Sequence, residues 1–348
     1  MQQIVSAPSR LRRLLRALPM LLAIILPGAA RAADSAVIVM YHRFGETEYP
    51  STDIRLEQFE AQLKELQSGG YHVMPLEDIV SAFRRKEALP DRAVALTIDD
   101  AYRSVYQEAW PRLRKAGLPF TLFASTGPAD AGTAGYMTWD ELRELASAGV
   151  TIGNHTVSHA HLPDIGEDRL RRELEDANSR FREELGFAPK LLAFPYGEYG
   201  RREAAAAEAA GFIAAFGQQS GVAYANAELY GLPRFALNEH YGSLDRFRLV
   251  ANALPLKVYD ITPNDTVLRA VNPPPFGFTV DASLNHLDRL NCYASNQAGK
   301  AHIERLGERR FEVRLQAPFS PPRGRINCTM PGPDGRWRWY GTQFYVQR

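Results

Sequence analysis

Four stretches of this sequence carry an apolar run into side chains capable of acid–base or metal chemistry. The run Ala93–Asp99 ends in two adjacent carboxylates, Asp99 and Asp100. Like charges at a buried strand end raise one pKa unless a cation sits beside them; taken alone, the pair is as well explained by a helix cap. A second run ends in His155-Thr156-Val157-Ser158-His159. Two imidazoles four residues apart can converge with one carboxylate oxygen on a metal and leave positions open to water, so His155 and His159 with one carboxylate of the Asp99-Asp100 pair suggest a His-His-Asp metal site. A third run ends in Phe194-Pro195-Tyr196-Gly197, where the proline fixes φ and leaves the Tyr196 N–H free to face a cleft, as an oxyanion requires. The fourth, Val37–Met40, is followed by Tyr41-His42-Arg43, which makes His42 a candidate proton donor or acceptor.

Positioning these groups together needs one scaffold. From Ala36 to about Phe216 apolar, β-branched runs alternate with helical stretches, as expected of a mostly parallel sheet with helical crossovers. The expected strands are Ala36–His42, Ala93–Asp99, Phe120–Ser125, Val150–His155, Leu191–Tyr196 and Phe212–Gly217. The expected helices are Leu56–Gly69, Ser104–Lys115, Trp139–Ala148, Asp168–Leu185 and Arg201–Ala210. All four chemical stretches fall at the C-terminal ends of strands, where (β/α) barrels and open α/β sheets build their sites.

After about Leu254 the helical period disappears, Asn272-Pro273-Pro274-Pro275 interrupts the chain, and aromatic alternation runs through Arg310–Leu315 and Trp337–Val346. This predicts a small β-rich domain, with a β-sandwich one architecture it could take, over residues 256–348, after a main domain over 33–255. Aromatic residues of the last strand (Trp337, Trp339, Tyr340, Phe344, Tyr345) are read first as core and second as a glycan-stacking face.

The 348 residues carry a formal net charge of +1, which gives no field for a nucleic-acid partner. Arg10, Arg12, Arg13 and Arg16 precede a short apolar run and Ala30-Arg31-Ala32, a signal-peptide pattern over 1–32 with cleavage before Ala33. The run is too short for a span of about 20 residues, so no stable membrane insertion is expected after cleavage. Export to the periplasm or the extracellular space puts Cys292 and Cys328 where a disulfide persists, two buried thiols being the alternative.

With these motifs in place, Ala36 to about Phe247 resembles the polysaccharide deacetylase family of the NodB homology domain, carbohydrate esterase family 4. Thr97-Ile98-Asp99-Asp100-Ala101 is similar to its Thr-Phe-Asp-Asp-Gly motif, and His155-Thr156-Val157-Ser158-His159 to its His-[Ser/Thr]-x-x-His motif. The resemblance implies a distorted (β/α) barrel of α/β class, with Asp99 as general base and Asp100, His155 and His159 holding a divalent metal ion, Zn2+ first among candidates. It also implies the Tyr196 N–H as oxyanion donor. Ala193 stands where the family carries an arginine, leaving the orientation of the base without an assigned partner. In place of a late Leu-x-x-His segment, Met40-Tyr41-His42 resembles the permuted poly-N-acetylglucosamine deacetylases, which makes His42 the implied acid.

The implied reaction is removal of N-acetyl groups from an amino-sugar polysaccharide such as poly-N-acetylglucosamine. Alternatives are an O-acetyl ester on xylan, the N-acetyl groups of peptidoglycan, a small cyclic amide, or a glycan-binding protein that has lost catalysis. His161 is read as a neighbour of the metal motif or a loop histidine, and Glu198 as a solvated loop acid. Trp139, Tyr199 and Tyr241 are read first as packing residues.

Overall fold

The computed structural model describes residues 32–347, together with Gln2 and Gln3. The signal segment expected over 1–32 lies outside the described residues, apart from Gln2, Gln3 and Ala32. Among the described residues no helix is long and apolar enough to cross a membrane.

Eight strands form the scaffold of the site: β1 (Ser35–Tyr41), β2 (Ala93–Ile98), β3 (Thr121–Ala124), β4 (Thr151–Asn154), β5 (Leu191–Ala193), β6 (Ala214–Phe216), β7 (Tyr230–Leu232) and β8 (Phe235–Ala236). Parallel pairing runs from β1 to β7 in chain order, and β8 returns to pair with β1 through Phe235↔Val39 and Ala236↔Met40. Only Pro233 and Arg234 separate β7 from β8, so the chain crosses from one sheet edge to the other there and nearly closes a barrel.

Both faces of these strands are covered, which is why they read as continuous apolar runs. Successive side chains point to opposite faces. Val37, Val39 and Tyr41 join Val94, Leu96 and Ile98 in one core with the helices Leu56–Ser68 and Trp139–Ser147. Ala36, Ile38, Ala93 and Ala95 join Phe123, Phe216 and the helix Leu76–Arg85 in another.

The six expected strands are all present, and each ends one to three residues earlier than anticipated. Their polar termini belong to the loops rather than the ladders. The expected helix Ser104–Lys115 opens as a π-helical turn at Val105–Ala109 and is α-helical only over Trp110–Ala116, because Pro111 lacks the N–H that an α-helical pattern would use. The helices Leu76–Arg85 and Leu244–Ala251 and the short strands β7 and β8 were not anticipated.

The C-terminal region is β-rich, as expected. β9 (Val258–Thr262), β10 (Phe276–Val280), β12 (His302–Leu306) and β13 (Arg310–Arg314) form one sheet. β11 (Asn291–Ala294), β14 (Arg323–Pro331) and β15 (Trp337–Val346) belong to the second. Phe276, Phe278 and Phe311 from the first meet Ile326, Met330 and Phe344 from the second in one apolar core. Cys292 and Cys328, register partners on β11 and β14, form a disulfide.

β15 also touches the barrel. Trp339 meets Phe235 edge-to-face at 5.2 Å, and a Cβ at Gly341 would lie 2.0 Å from the Ser220 carbonyl oxygen, so only glycine permits that approach. The aromatic residues of β15 therefore divide their roles. Phe344 and Tyr345 are buried, Trp339 packs on the barrel and Trp337 is 38% exposed.

Candidate active site

Four loops at the C-terminal ends of the strands bring the candidate residues together. β1 delivers His42, β2 delivers Asp99 and Asp100, β4 delivers His155 and His159, and β5 delivers Tyr196. Of the ten non-glycine residues with positive φ among those described, five lie here: Asp100, Ala101, Thr156, His159 and Tyr196. Left-handed backbone at a non-glycine residue costs energy and persists where the surroundings enforce it. Ala101, at the family's glycine position, adopts φ 53° and carries that cost.

Asp100 Oδ1 lies 3.3 Å from His155 Nε2 and 3.2 Å from His159 Nε2. One ligand atom from each of the three residues falls within 4.8 Å of the others. His155 is fully buried, and its Nδ1 lies 2.7 Å from the Ala193 carbonyl oxygen. That contact requires the proton on Nδ1 and turns the lone pair of Nε2 toward Asp100. Nε2 has no hydrogen-bond donor or acceptor of its own. A buried, unprotonated imidazole nitrogen aimed at a carboxylate oxygen is the arrangement a divalent cation completes, so the three residues fit the metal that the motif implies.

Asp99 is gripped by a residue that the sequence motifs did not reveal. Arg234 donates from Nη1 to Asp99 Oδ1 and from Nη2 to Oδ2, both at 2.7 Å, and both side chains are fully buried. Its other donors are also used, Nε to the Gly217 carbonyl at 3.0 Å and Nη1 also to Thr97 Oγ1 at 3.2 Å. Burial would raise the Asp99 pKa, yet the Arg234 charge beside it lowers it below the ordinary value. Arg234 sits in the two-residue link that closes the barrel, 5.4 Å from the Phe123 ring. The only sequence signal was one cation within the otherwise apolar run Leu232-Pro233-Arg234-Phe235-Ala236-Leu237.

His42 Nε2 is 4.0 Å from Asp99 Oδ2. Burial lowers the His42 pKa, against the opposing pull of Asp100 and Asp99. On the other side of the metal group, Tyr196 adopts φ 59°. Its turn uses the N–H groups of Gly197 and Glu198 internally, toward the Phe194 and Pro195 carbonyls, and leaves the Tyr196 N–H out of that pattern. The Tyr196 ring stands edge-on to His159 at 4.4 Å.

Glu198 is not the solvated acid expected of it. It is 1% exposed, held by His161 Nδ1 at 2.6 Å and by Arg323 Nη1 at 2.9 Å, because a carboxylate with two charge-bearing partners can tolerate burial. His161 in turn stacks on the Tyr196 ring at 4.2 Å, which makes it a neighbour of the site rather than a free loop histidine. Trp139 and Tyr199 pack, on Phe181 and Phe194 respectively, whereas Tyr241 is 53% exposed.

A near-closed parallel barrel with the candidate residues gathered at one end agrees with the comparison to known families. Residues 86–215 match the family described as polysaccharide deacetylase, which supports hydrolase activity for this chain. Among curated relatives, the poly-beta-1,6-N-acetyl-D-glucosamine N-deacetylase of Staphylococcus aureus is 23% identical over 234 residues, covering 59% of this chain and 80% of its own. The solved Streptococcus pyogenes deacetylase PplD, in complex with acetate, shares the fold with TM-score 0.58 and 24% identity, over 62% of this chain and 98% of its own. IcaB from Ammonifex degensii shares it with TM-score 0.56 and 24% identity, over 64% and 98%.

Proposed function

We propose that this chain is an exported, divalent-metal-dependent hydrolase, with zinc the first candidate, that removes N-acetyl groups from an amino-sugar polysaccharide such as poly-N-acetylglucosamine. The observation that carries this reading is the juxtaposition of two differently held carboxylates, Asp99 on Arg234 and Asp100 on two imidazoles. One is fixed to act as a base and the other to ligate. The activity named for the Staphylococcus aureus relative, poly-beta-1,6-N-acetyl-D-glucosamine N-deacetylase, supports the substrate class.

When held by Asp100, His155 and His159, a divalent cation supplies Lewis-acid polarisation of the acetyl carbonyl and lowers the pKa of a water. The protein's own groups do the rest. Asp99, oriented by Arg234, takes the proton of the attacking water. The Tyr196 N–H donates to the oxygen that gains charge as the carbonyl carbon becomes tetrahedral, an interaction of a kind worth about 3 kcal/mol elsewhere. His42 gives a proton to the amide nitrogen as the C–N bond breaks, so that the sugar leaves as an amine and the acyl part as acetate. Arg234 also removes the reason for reading the chain as a lapsed binding protein, which rested on Ala193. The domain limits 33–255 and 256–348 are part of this proposal, with the β-rich region adjoining the site.

The test is acetate release from β-1,6- and β-1,4-linked N-acetylglucosamine oligomers by the mature chain, with and without chelator, beside Asp99→Asn. We expect release that needs metal and collapses in the variant, with the preferred linkage naming the polymer. Zinc bound at one equivalent without any release would reject these substrates and turn the assay to acetylated xylan and peptidoglycan.

A further inference from the structure

We propose that Gln343, on β15 of the β-rich region, is a positioning residue for the oxyanion donor, so that the C-terminal region is a working part of the active site. The inference rests on the reading of Tyr196 given above. Gln343 Nε2 donates to the carbonyl oxygens of both Tyr196 and Gly197, each at 3.0 Å. Its own Oε1 accepts from Arg325 Nε at 2.9 Å, and the side chain is 4% exposed. Arg325 and Gln343 are cross-strand partners on β14 and β15. Arg323, two residues before Arg325, reaches the next residue of the loop through Glu198. Three successive residues, 196 to 198, are thus tied to one edge of the sandwich.

The loop needs such a tie. Tyr196 at φ 59° and Gly197 at φ 67° are consecutive left-handed residues, and left-handed backbone at a non-glycine residue is unfavourable by roughly 1–2 kcal/mol. Gly197 is also pressed against the neighbouring strand end, where an added Cβ would lie 2.4 Å from the Gln218 nitrogen. The Glu198 N–H holds the Pro195 carbonyl at 3.0 Å, and with it the Pro195–Tyr196 peptide plane that carries the Tyr196 N–H; Gln343 holds the two planes that follow. The turn that aims the Tyr196 N–H is thus held in part from outside the barrel. Donors arranged in advance of charge development are effective because nothing reorganises during the reaction.

The test compares the wild-type chain with Gln343→Met, which keeps the reach of the side chain and loses the donor. Two readouts are taken: kcat and KM on an N-acetylglucosamine oligomer, and amide hydrogen exchange of the segment 194–199. Since deleting a whole oxyanion donor costs about 10²–10³ in kcat elsewhere, loosening one is expected to cost about tenfold, with KM within a factor of about two. Exchange in 194–199 is expected to accelerate while that of 121–124 does not. The control is the double variant Cys292→Ala/Cys328→Ala, which loosens the sandwich away from the loop and is expected to lower Tm and leave kcat in place.

Unchanged exchange in 194–199 overturns the proposal, and so does accelerated exchange with unaltered kcat. A disulfide-free chain that reproduces the kcat loss overturns it too, because the effect is then general stability. If Gln343→Met does not fold, Gln343→Glu keeps the shape, presents acceptors to the two carbonyls and carries the same readouts. A wild-type chain that releases no acetate counts against the deacetylase reading itself, and the catalytic role of Gln343 falls with it.

Discussion

Arg234 and Asp99, 135 positions apart, meet through two parallel hydrogen bonds of 2.7 Å, and both side chains are fully buried. Such a pair is favourable only while both members are present, because each alone is a buried charge. Arg234→Met is therefore expected to destabilise the fold by about 3–5 kcal/mol and to abolish turnover. The double variant Asp99→Asn/Arg234→Met should recover much of that stability and none of the activity. Arg234→Lys, which cannot make the paired contact, should retain part of the stability with activity still lost. Denaturant titration beside acetate release reads all three. A double variant as unstable as Arg234→Met would show that the arginine's packing on Phe123, and not the ion pair, carries the effect.

The metal group makes a separate prediction. His155 is oriented by a single contact from Nδ1 to the Ala193 carbonyl, and its Nε2 is the buried member of the group. His155→Ala and Asp100→Asn should each remove stoichiometric metal, whereas His161→Ala should leave metal content near one equivalent, because its Nδ1 is turned to Glu198. Metal analysis after dialysis against a weak chelator reads this without any turnover. Retention of a full equivalent by Asp100→Asn would place the metal elsewhere.

What could be read from the residues follows from where their energy comes from. A strand buried on both faces is largely apolar, so β1 and β2 stand out, and whatever polar groups follow them stand out as well. His155 and His159 were legible because their spacing is local. Arg234 was not, because its meaning depends on a strand crossing at the barrel seam that brings residue 234 beside residue 99. Glu198 was misread for the same reason: one of its two partners, Arg323, comes from a different sheet. Local periodicity also missed β7 and β8, which are three and two residues long and have no pattern to display.

His42 lies at the end of β1, 4.0 Å from the base and outside the metal group. A proton donor to the leaving nitrogen affects the breaking bond and not the binding of metal. His42→Asn is expected to lower kcat by about 10²–10⁴ while metal stoichiometry and Tm stay close to wild type. The comparison with an O-acetyl ester is informative, since an alkoxide leaves more readily than an amide anion. The loss should be smaller on the ester than on the amide. An equal loss on both would assign His42 to water activation together with Asp99.

Beside the site, the carboxyl of Asp53 supplies a pH dependence whose sign can be worked out. Asp53 is fully buried, and its Oδ1 accepts from the Glu46 N–H at 2.9 Å. Its Oδ2 and Glu239 Oε1 are both buried without a partner, the arrangement two carboxyls adopt when they share one proton. Burial, with the charges of Glu239 and Glu46 nearby, raises the Asp53 pKa from 3.8 to about 6. The folded state thus holds this proton more tightly than the unfolded chain does. The associated stability is complete below the unfolded value of 3.8 and is lost as pH rises through about 6. Asp53→Asn does not titrate, so its Tm relative to wild type should climb between pH 4 and pH 7 and then level off. The climb corresponds to roughly 2 kcal/mol, or a few degrees in a chain of this size. Thermal melts of both proteins across that range decide it: a constant difference would mean that the proton is not shared, and a falling one would reverse the sign and place a cation beside Asp53.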